Sequence, residues 1–140
     1  MSVIKSYTNL EQSRKLAEIL PLETADMKWC FWKDEIDAPK TPTFGYSKTA
    51  AESYKDTEAV YLPCWSLAAL LNVMPKDEGI DCSISFGYYN GKGEYIEKWL
   101  CAFEKEGETT DDFIIETIDG DNPIDACVNM IIWLKEQNLL

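Results

Sequence analysis

The stretch IDCSISFGYYNGKGEYIEKWLCAF, residues 80–103, decides the fold. In residues 82–88, apolar side chains alternate with Ser or Gly, which is the period of a β-strand. Asn90-Gly91 is a typical hairpin turn, and Lys92-Gly93 lengthens it. Residues 95–103 return with aromatic residues and a cysteine on one side. The stretch therefore predicts an antiparallel β-hairpin.

The sequence that follows predicts a third strand and a helix. A turn near Gly107 precedes an apolar run at residues 113–118, which completes a three-strand meander. Asn122 fits the N-cap of a helix, and Pro123 fits its first turn. The helical spacing of a buried face then recurs at Ile124, Cys127, Val128, Ile131 and either Leu134 or Lys135.

The sequence that precedes the hairpin predicts two more helices. Thr8 and Glu11 fit a capping box at the start of the first helix, and Pro21 ends it. The segment 64–74 is apolar on nearly every side, which is typical of a buried helix.

Earlier strands are predicted as well. The aromatic segment 27–33 indicates a strand that is apolar on both faces, and residues 58–62 indicate another. Residues 34–57 form a charged excursion with a short strand at 43–47.

Together these elements predict an α+β fold in one domain, residues 1–140. We expect an antiparallel sheet, made of the C-terminal three-strand meander plus one or two earlier strands. This sheet would pack against the N-terminal, the central buried and the C-terminal helix.

The composition excludes several functions. The 140 residues contain no histidine, so a Ser-His-Asp triad, a Cys-His pair and a His-ligated metal are excluded. The formal net charge is −12, which argues against direct binding to nucleic acid or to anionic membranes. The N-terminus lacks the pattern of a signal peptide, so we expect a cytoplasmic protein.

The five cysteines are widely spaced and lie in apolar contexts, at positions 30, 64, 82, 101 and 127. This spacing fits neither a disulfide framework nor a zinc site, and we expect reduced thiols in the core. A reactive thiolate at Cys64, near the start of the central helix, is the alternative to packing.

Acidic residues concentrate in one segment. Residues 104–121 carry eight carboxylates and one lysine, which gives this segment a net charge of −7. One interpretation is a solvated edge that discourages aggregation. The other is an acidic surface that binds a basic partner. The candidate partner-binding residues are Glu104, Glu106, Glu108, Asp111 and Asp112.

The C-terminal helix carries a second apolar stripe, at Met130 and Trp133. These side chains either pack under the excursion 34–57 or form an exposed patch. An exposed patch would bind a partner, and a second copy of this chain would form a homodimer.

Three segments resemble a known family: TNLEQSRKLAEILPLETADM (residues 8–27), LPCWSLAALLNVMP (62–75) and DNPIDACVNMIIWLKEQNLL (121–140). The family consists of small uncharacterised proteins encoded on phages and integrated mobile elements of Bacteroides-type bacteria. The resemblance implies a mobile-element origin and a cytoplasmic product. It implies no mechanism, because no activity is established for the family.

These observations predict a non-enzymatic protein–protein interaction module of phage or mobile-element origin. One alternative is an acidic inhibitor, in the manner of a DNA mimic, of a host protein that handles nucleic acid. The other is a small carboxylate- or metal-dependent hydrolase, because two catalytic carboxylates leave no local signature. No residue is assigned to catalysis, to a cofactor or to a metal.

Overall fold

The computed structural model describes residues 5–32, 41–46, 59–109 and 112–140. The elements in chain order are α1 (Leu10–Ile19), a 3-10 turn (Leu22–Thr24), β1 (Met27–Trp32), β2 (Thr43–Phe44), β3 (Ala59–Cys64), α2 (Leu67–Val73), β4 (Ile80–Tyr89), β5 (Tyr95–Lys105), β6 (Ile114–Gly120) and α3 (Pro123–Glu136). The predicted α+β class is confirmed. The excursion 34–57 lies mostly outside the described residues.

Contacts divide the chain into two compact units. One unit contains residues 6–72, and the other contains residues 1–5 and 73–140. Each unit holds one antiparallel three-strand sheet of the described strands. The earlier strands therefore form a sheet of their own and do not extend the meander. The single domain 1–140 stays a prediction.

The sheet of the first unit has the strand order β2-β1-β3. Met27 of β1 lies opposite Cys64 of β3, and both pack with Trp29 in a buried cluster. Pro63 is tolerated because β3 is the edge strand of this sheet among the described residues, and proline cannot donate to a further strand.

The outer side of β1 corrects one prediction. Cys30 and Trp32 alternate with the buried side chains of this strand, and both are exposed. The strand is therefore buried on one face and not on both. Cys30 is correspondingly not a core thiol.

The cap of α1 is shifted by one residue from the prediction. Asn9 is the N-cap: its Oδ1 accepts a hydrogen bond from the backbone N–H of Gln12 at 2.7 Å. The Gln12 side chain in turn accepts from the backbone N–H of Asn9 at 3.1 Å. The predicted pair of Thr8 and Glu11 is wrong, because Thr8 is drawn into the core and its side chain is fully buried.

Thr8 joins α1 to the end of β3. Its Oγ1 accepts a hydrogen bond from the backbone N–H of Trp65 at 3.1 Å and lies 2.8 Å from the hydroxyl of Ser13. The backbone N–H of Thr8 donates to the carbonyl of Trp65 at 3.0 Å. A threonine can make these bonds inside the core because its hydroxyl both donates and accepts.

The central helix is shorter than predicted. Cys64 ends β3, and α2 begins only at Leu67. The hydroxyl of Ser66 accepts from the backbone N–H of Ala69 at 3.2 Å, and the carboxylate of Asp26 accepts from the backbone N–H of Ser66 at 2.9 Å. Ala68 is exposed on this helix, so the expectation of burial on nearly every side is wrong.

The second unit contains the predicted three-strand meander, with strand order β4-β5-β6. The hairpin turn is the predicted one: the Asn90 side chain accepts from the backbone N–H groups of Lys92 and Glu94, at 2.9 and 3.0 Å. Gly93 has a positive φ of 77°, which glycine adopts without strain. The third strand begins at Ile114, one residue after the predicted start.

Helix α3 covers one face of the meander. Asn122 is its N-cap and Pro123 its first residue, both as predicted. The first four predicted core positions are buried, and of the two alternatives for the fifth, Leu134 is buried and Lys135 is exposed. Gly120, at the end of β6, lets the strand approach the helix closely. A Cβ at this position would lie 2.6 Å from the backbone nitrogen of Ala126.

Candidate functional site

The predicted acidic residues lie at one end of the meander. Glu104 is near the end of β5, and Glu106 and Glu108 follow in the loop to β6. These three carboxylates and that of Asp112 are exposed. Asp111 lies outside the described residues. The prediction of an exposed acidic segment is therefore met by the four carboxylates whose positions are described.

Strand register adds a carboxylate that sequence reasoning did not select. Asp81 of β4 lies directly opposite Glu104 of β5, and Ile115 of β6 lies on the other side of Glu104. Directly opposite residues of an antiparallel pair have Cβ atoms about 4.5–5.5 Å apart. Two carboxylates are thus held side by side on an exposed surface. We call Asp81, Glu104 and Ile115 the acidic row.

The acidic row lies on the face of the meander that α3 does not cover. Alternate residues of β5 point to opposite faces of the sheet. Phe103 points toward α3, because its ring centroid lies 6.1 Å from that of Trp133, and Cys101 lies on the same side of β5. Glu104 therefore points away from the helix.

The described residues on either side of the β5–β6 turn make local hydrogen bonds. The backbone N–H of Glu106 donates to the carbonyl of Gly79 at 2.8 Å. The hydroxyl of Thr109 donates to the Asp112 carboxylate at 3.0 Å, and the backbone N–H of Asp112 donates back to the carbonyl of Thr109 at 3.1 Å. These bonds hold the loop carboxylates next to the acidic row.

An open groove lies along this loop, with exposed apolar surface beside the carboxylates. Its volume is about 560 Å³, and its lining residues are Glu106, Gly107, Glu108, Thr109 and Phe113. The side chain of Ile115 is 57% exposed. The acidic end of the meander thus combines negative charge with apolar contact area.

The second candidate site, on α3, differs from the prediction. Met130 has no exposed surface, so it cannot belong to an exposed patch. Trp133 is half-buried and packs against Phe103. Ala126 and Met130 are buried in addition to the predicted stripe, so most of the circumference of the helix is buried.

Three of the thiols have raised pKa values. Burial raises the pKa of the Cys64 thiol, although hydrogen bonds from Thr8 and Ser13 oppose that shift. Burial is also the main reason that the pKa of Cys82 is raised, to about 11. The hydrogen bond to Cys101 and burial raise the pKa of Cys127. These directions favour packing over a thiolate at Cys64, as the sequence predicted.

Two further observations concern metals and membranes. Within the described parts of the chain, no three or more cysteine, aspartate and glutamate side chains are grouped so that they could hold a metal ion. Among the same residues, no helix has the length and apolarity needed to cross a bilayer.

Comparison of the chain with protein-family models, with curated proteins and with solved structures found no match.

Proposed function

We propose that this chain is a non-enzymatic module that binds a basic partner protein at the acidic end of the meander. The observation that carries the proposal is the acidic row, in which Asp81 lies directly opposite Glu104 on the uncovered face of the sheet. Like charges directly opposite each other destabilise a sheet. Lysine or arginine side chains of a partner would turn this repulsion into attraction on binding.

The surroundings of the acidic row support the same proposal. Glu106, Glu108 and Asp112 are exposed nearby and extend the negative surface, which would steer a basic protein toward it. Ile115 and Phe113 are exposed apolar side chains at the same end and supply contact area. A protein partner can use both the charge and the neighbouring apolar surface, whereas a free cation can use only the charge.

The identity of the partner is part of the proposal. A second copy of this chain would bring the same negative surface to the acidic row and be repelled, so we propose a different protein as partner. The resemblance to phage and mobile-element proteins supports a cytoplasmic host protein in this role. A host protein that handles nucleic acid is one basic partner of this kind.

The geometry gives less support to the two alternatives. A DNA mimic spreads carboxylates along an elongated face, whereas the described carboxylates of residues 104–112 gather at one end of the sheet. A carboxylate-dependent hydrolase needs its carboxylates to converge in a cleft. Asp81 and Glu104 lie instead on an open strand surface.

The test is binding of a short fluorescent peptide of lysine, arginine and glycine, measured by anisotropy. The test variant is Asp81→Asn with Glu104→Gln. The matched control is Glu18→Gln with Glu23→Gln, which removes the same charge from exposed positions of the other unit. We expect roughly tenfold weaker binding by the test variant, and loss of the difference at high salt.

The proposal fails if both double variants weaken peptide binding equally, because the peptide would then sense net charge alone. It also fails if the wild-type protein does not bind the peptide at low salt.

A further inference from the structure

A second groove lies on the meander, away from the acidic row. It has a volume of about 570 Å³, within the range of small-molecule and side-chain pockets. All three strands contribute to it, and its lining residues are Tyr88, Tyr89, Leu100, Thr117, Ile118 and Asp119. We call it the tyrosine groove.

One carboxylate in the tyrosine groove is already oriented. The hydroxyl of Tyr88 donates to Oδ2 of Asp119 at 2.8 Å. This hydrogen bond raises the pKa of Tyr88, because it stabilises the protonated phenol that donates it. Oδ1 of Asp119 makes no hydrogen bond to any residue that the structure describes. One carboxylate oxygen is therefore fixed and the other is free to bind a ligand.

The aromatic surface beside this carboxylate is the ring of Tyr88, whose hydroxyl is bound to Asp119. The ring of Tyr89 points to the other face of the strand, because successive side chains alternate. There its centroid lies 5.3 Å from that of Tyr95. Tyr95 can occupy this place because Gly87 has no side chain: a Cβ there would lie 1.9 Å from the Tyr95 hydroxyl oxygen.

The three kinds of surface in this groove match one ligand chemistry. A cation is attracted to the face of an aromatic ring and to a carboxylate. Leu100 offers apolar surface to an aliphatic stem on the same face as Asp119, and lysine buries such a stem while its charged end stays hydrated. We infer that the tyrosine groove binds a lysine or arginine side chain, with Asp119 pairing with its charge and the ring of Tyr88 contacting it.

This inference rests on the proposed function, because the cationic side chain is taken to belong to the basic partner. It adds a geometric requirement on that partner. Leu100 and Glu104 are four residues apart on β5, which corresponds to about 13 Å along the strand. A partner that engages both places would carry two basic side chains about that far apart.

The experiment uses N-acetyl-lysine methylamide as the probe, with amide chemical shifts followed by NMR. N-acetyl-norleucine methylamide is the matched neutral probe, because it has the same carbon stem without the charge. We expect saturable shifts at Tyr88, Tyr89 and Asp119 with the lysine probe and none with the norleucine probe.

Two variants test the roles of the side chains. Asp119→Asn keeps an acceptor for Tyr88 and removes the charge, and we expect at least a tenfold loss of affinity for the lysine probe. Tyr88→Leu removes the aromatic ring from the groove, and we expect a loss of about two- to fivefold. Tyr89→Leu changes a ring on the other face of the strand and should bind as the wild type does. The charge-matched control Glu18→Gln should bind as the wild type does.

Equal shifts with both probes, or unchanged affinity in Asp119→Asn, would overturn the inference. Such a result leaves the proposed function standing if the peptide still distinguishes Asp81→Asn with Glu104→Gln from its control. The two failures are therefore separable, because the lysine probe senses the groove and the peptide variant senses the acidic row.

Discussion

Asp81 of β4 lies directly opposite Glu104 of β5 on the face of the meander that α3 leaves uncovered. Both side chains are exposed, and two carboxylates directly opposite each other repel. An arrangement that lowers the stability of the free protein, at a surface suited to binding, is typical of functional sites.

The first prediction concerns the cost of this pair. Glu104→Gln should raise the free energy of unfolding by about 0.2–1 kcal/mol, because the repulsion across the strands is removed. The measurement is urea denaturation at low salt. In the Asp81→Asn background the same substitution should give no gain, since no like charge remains opposite position 104. Equal gains in both backgrounds would show that the two carboxylates are not coupled.

The register that creates the pair could not be predicted from the sequence. Tyr89 lies opposite Tyr95 next to the turn, and extending that register along the hairpin would place Asp81 opposite Phe103. A register shift between Phe86 and Tyr88 changes the partner of every β4 residue farther from the turn by one position. It therefore places Asp81 opposite Glu104. Alternation and turn residues predict a hairpin, but the position of a bulge depends on side chains packing across the sheet.

The second prediction separates two residues that the sequence pattern confuses. Thr8→Val should lower the free energy of unfolding by about 1–3 kcal/mol, because the buried N–H of Trp65 loses its acceptor. Asn9→Ala should cost about 1 kcal/mol through loss of the N-cap. Thr8→Ser keeps the hydroxyl and is the control. If Asn9→Ala is neutral in thermal or urea denaturation, the assignment of the cap is wrong.

Thr8 and Met130 show why local sequence patterns predict the position of a helix better than the contacts of a single residue. A Ser or Thr three residues before Glu is a sound sign of a helix start, and the helix was placed within two residues of its observed start. Thr8 and Asn9 are both suitable capping residues. Asn9 caps the helix because Thr8 is buried in the core, where it is hydrogen-bonded to Trp65 and Ser13. In the same way, the sequence predicts a second apolar stripe at Met130, but whether that stripe is buried depends on tertiary packing.

The third prediction concerns the close approach of β6 to α3. Gly120→Ala should lower the free energy of unfolding by about 1–3 kcal/mol, because the new Cβ would lie 2.6 Å from the backbone nitrogen of Ala126, and backbone cannot move aside cheaply. Gly91→Ala is the matched control, since no heavy atom lies within 4 Å of its Cβ position. The control should stay within about 0.5 kcal/mol of the wild type. Equal effects of the two substitutions would contradict the close approach.

The last prediction follows from the raised pKa of Cys82, about 11 against 9.0 for an ordinary thiol. Burial is the largest cause of this shift, and the charges of Cys101 and Asp81 add to it. Between pH 9 and about 11 the unfolded chain loses the thiol proton while the folded protein keeps it, so the free energy of unfolding falls as the pH rises. Below pH 9 the thiol is protonated in both states and its contribution is fully present. Cys82→Ala should therefore flatten the fall in urea midpoint over this range, measured under reducing conditions, whereas the neighbouring Ser83→Ala should leave it unchanged. Identical pH profiles for wild type and Cys82→Ala would show that Cys82 ionises alike in the folded and unfolded chain.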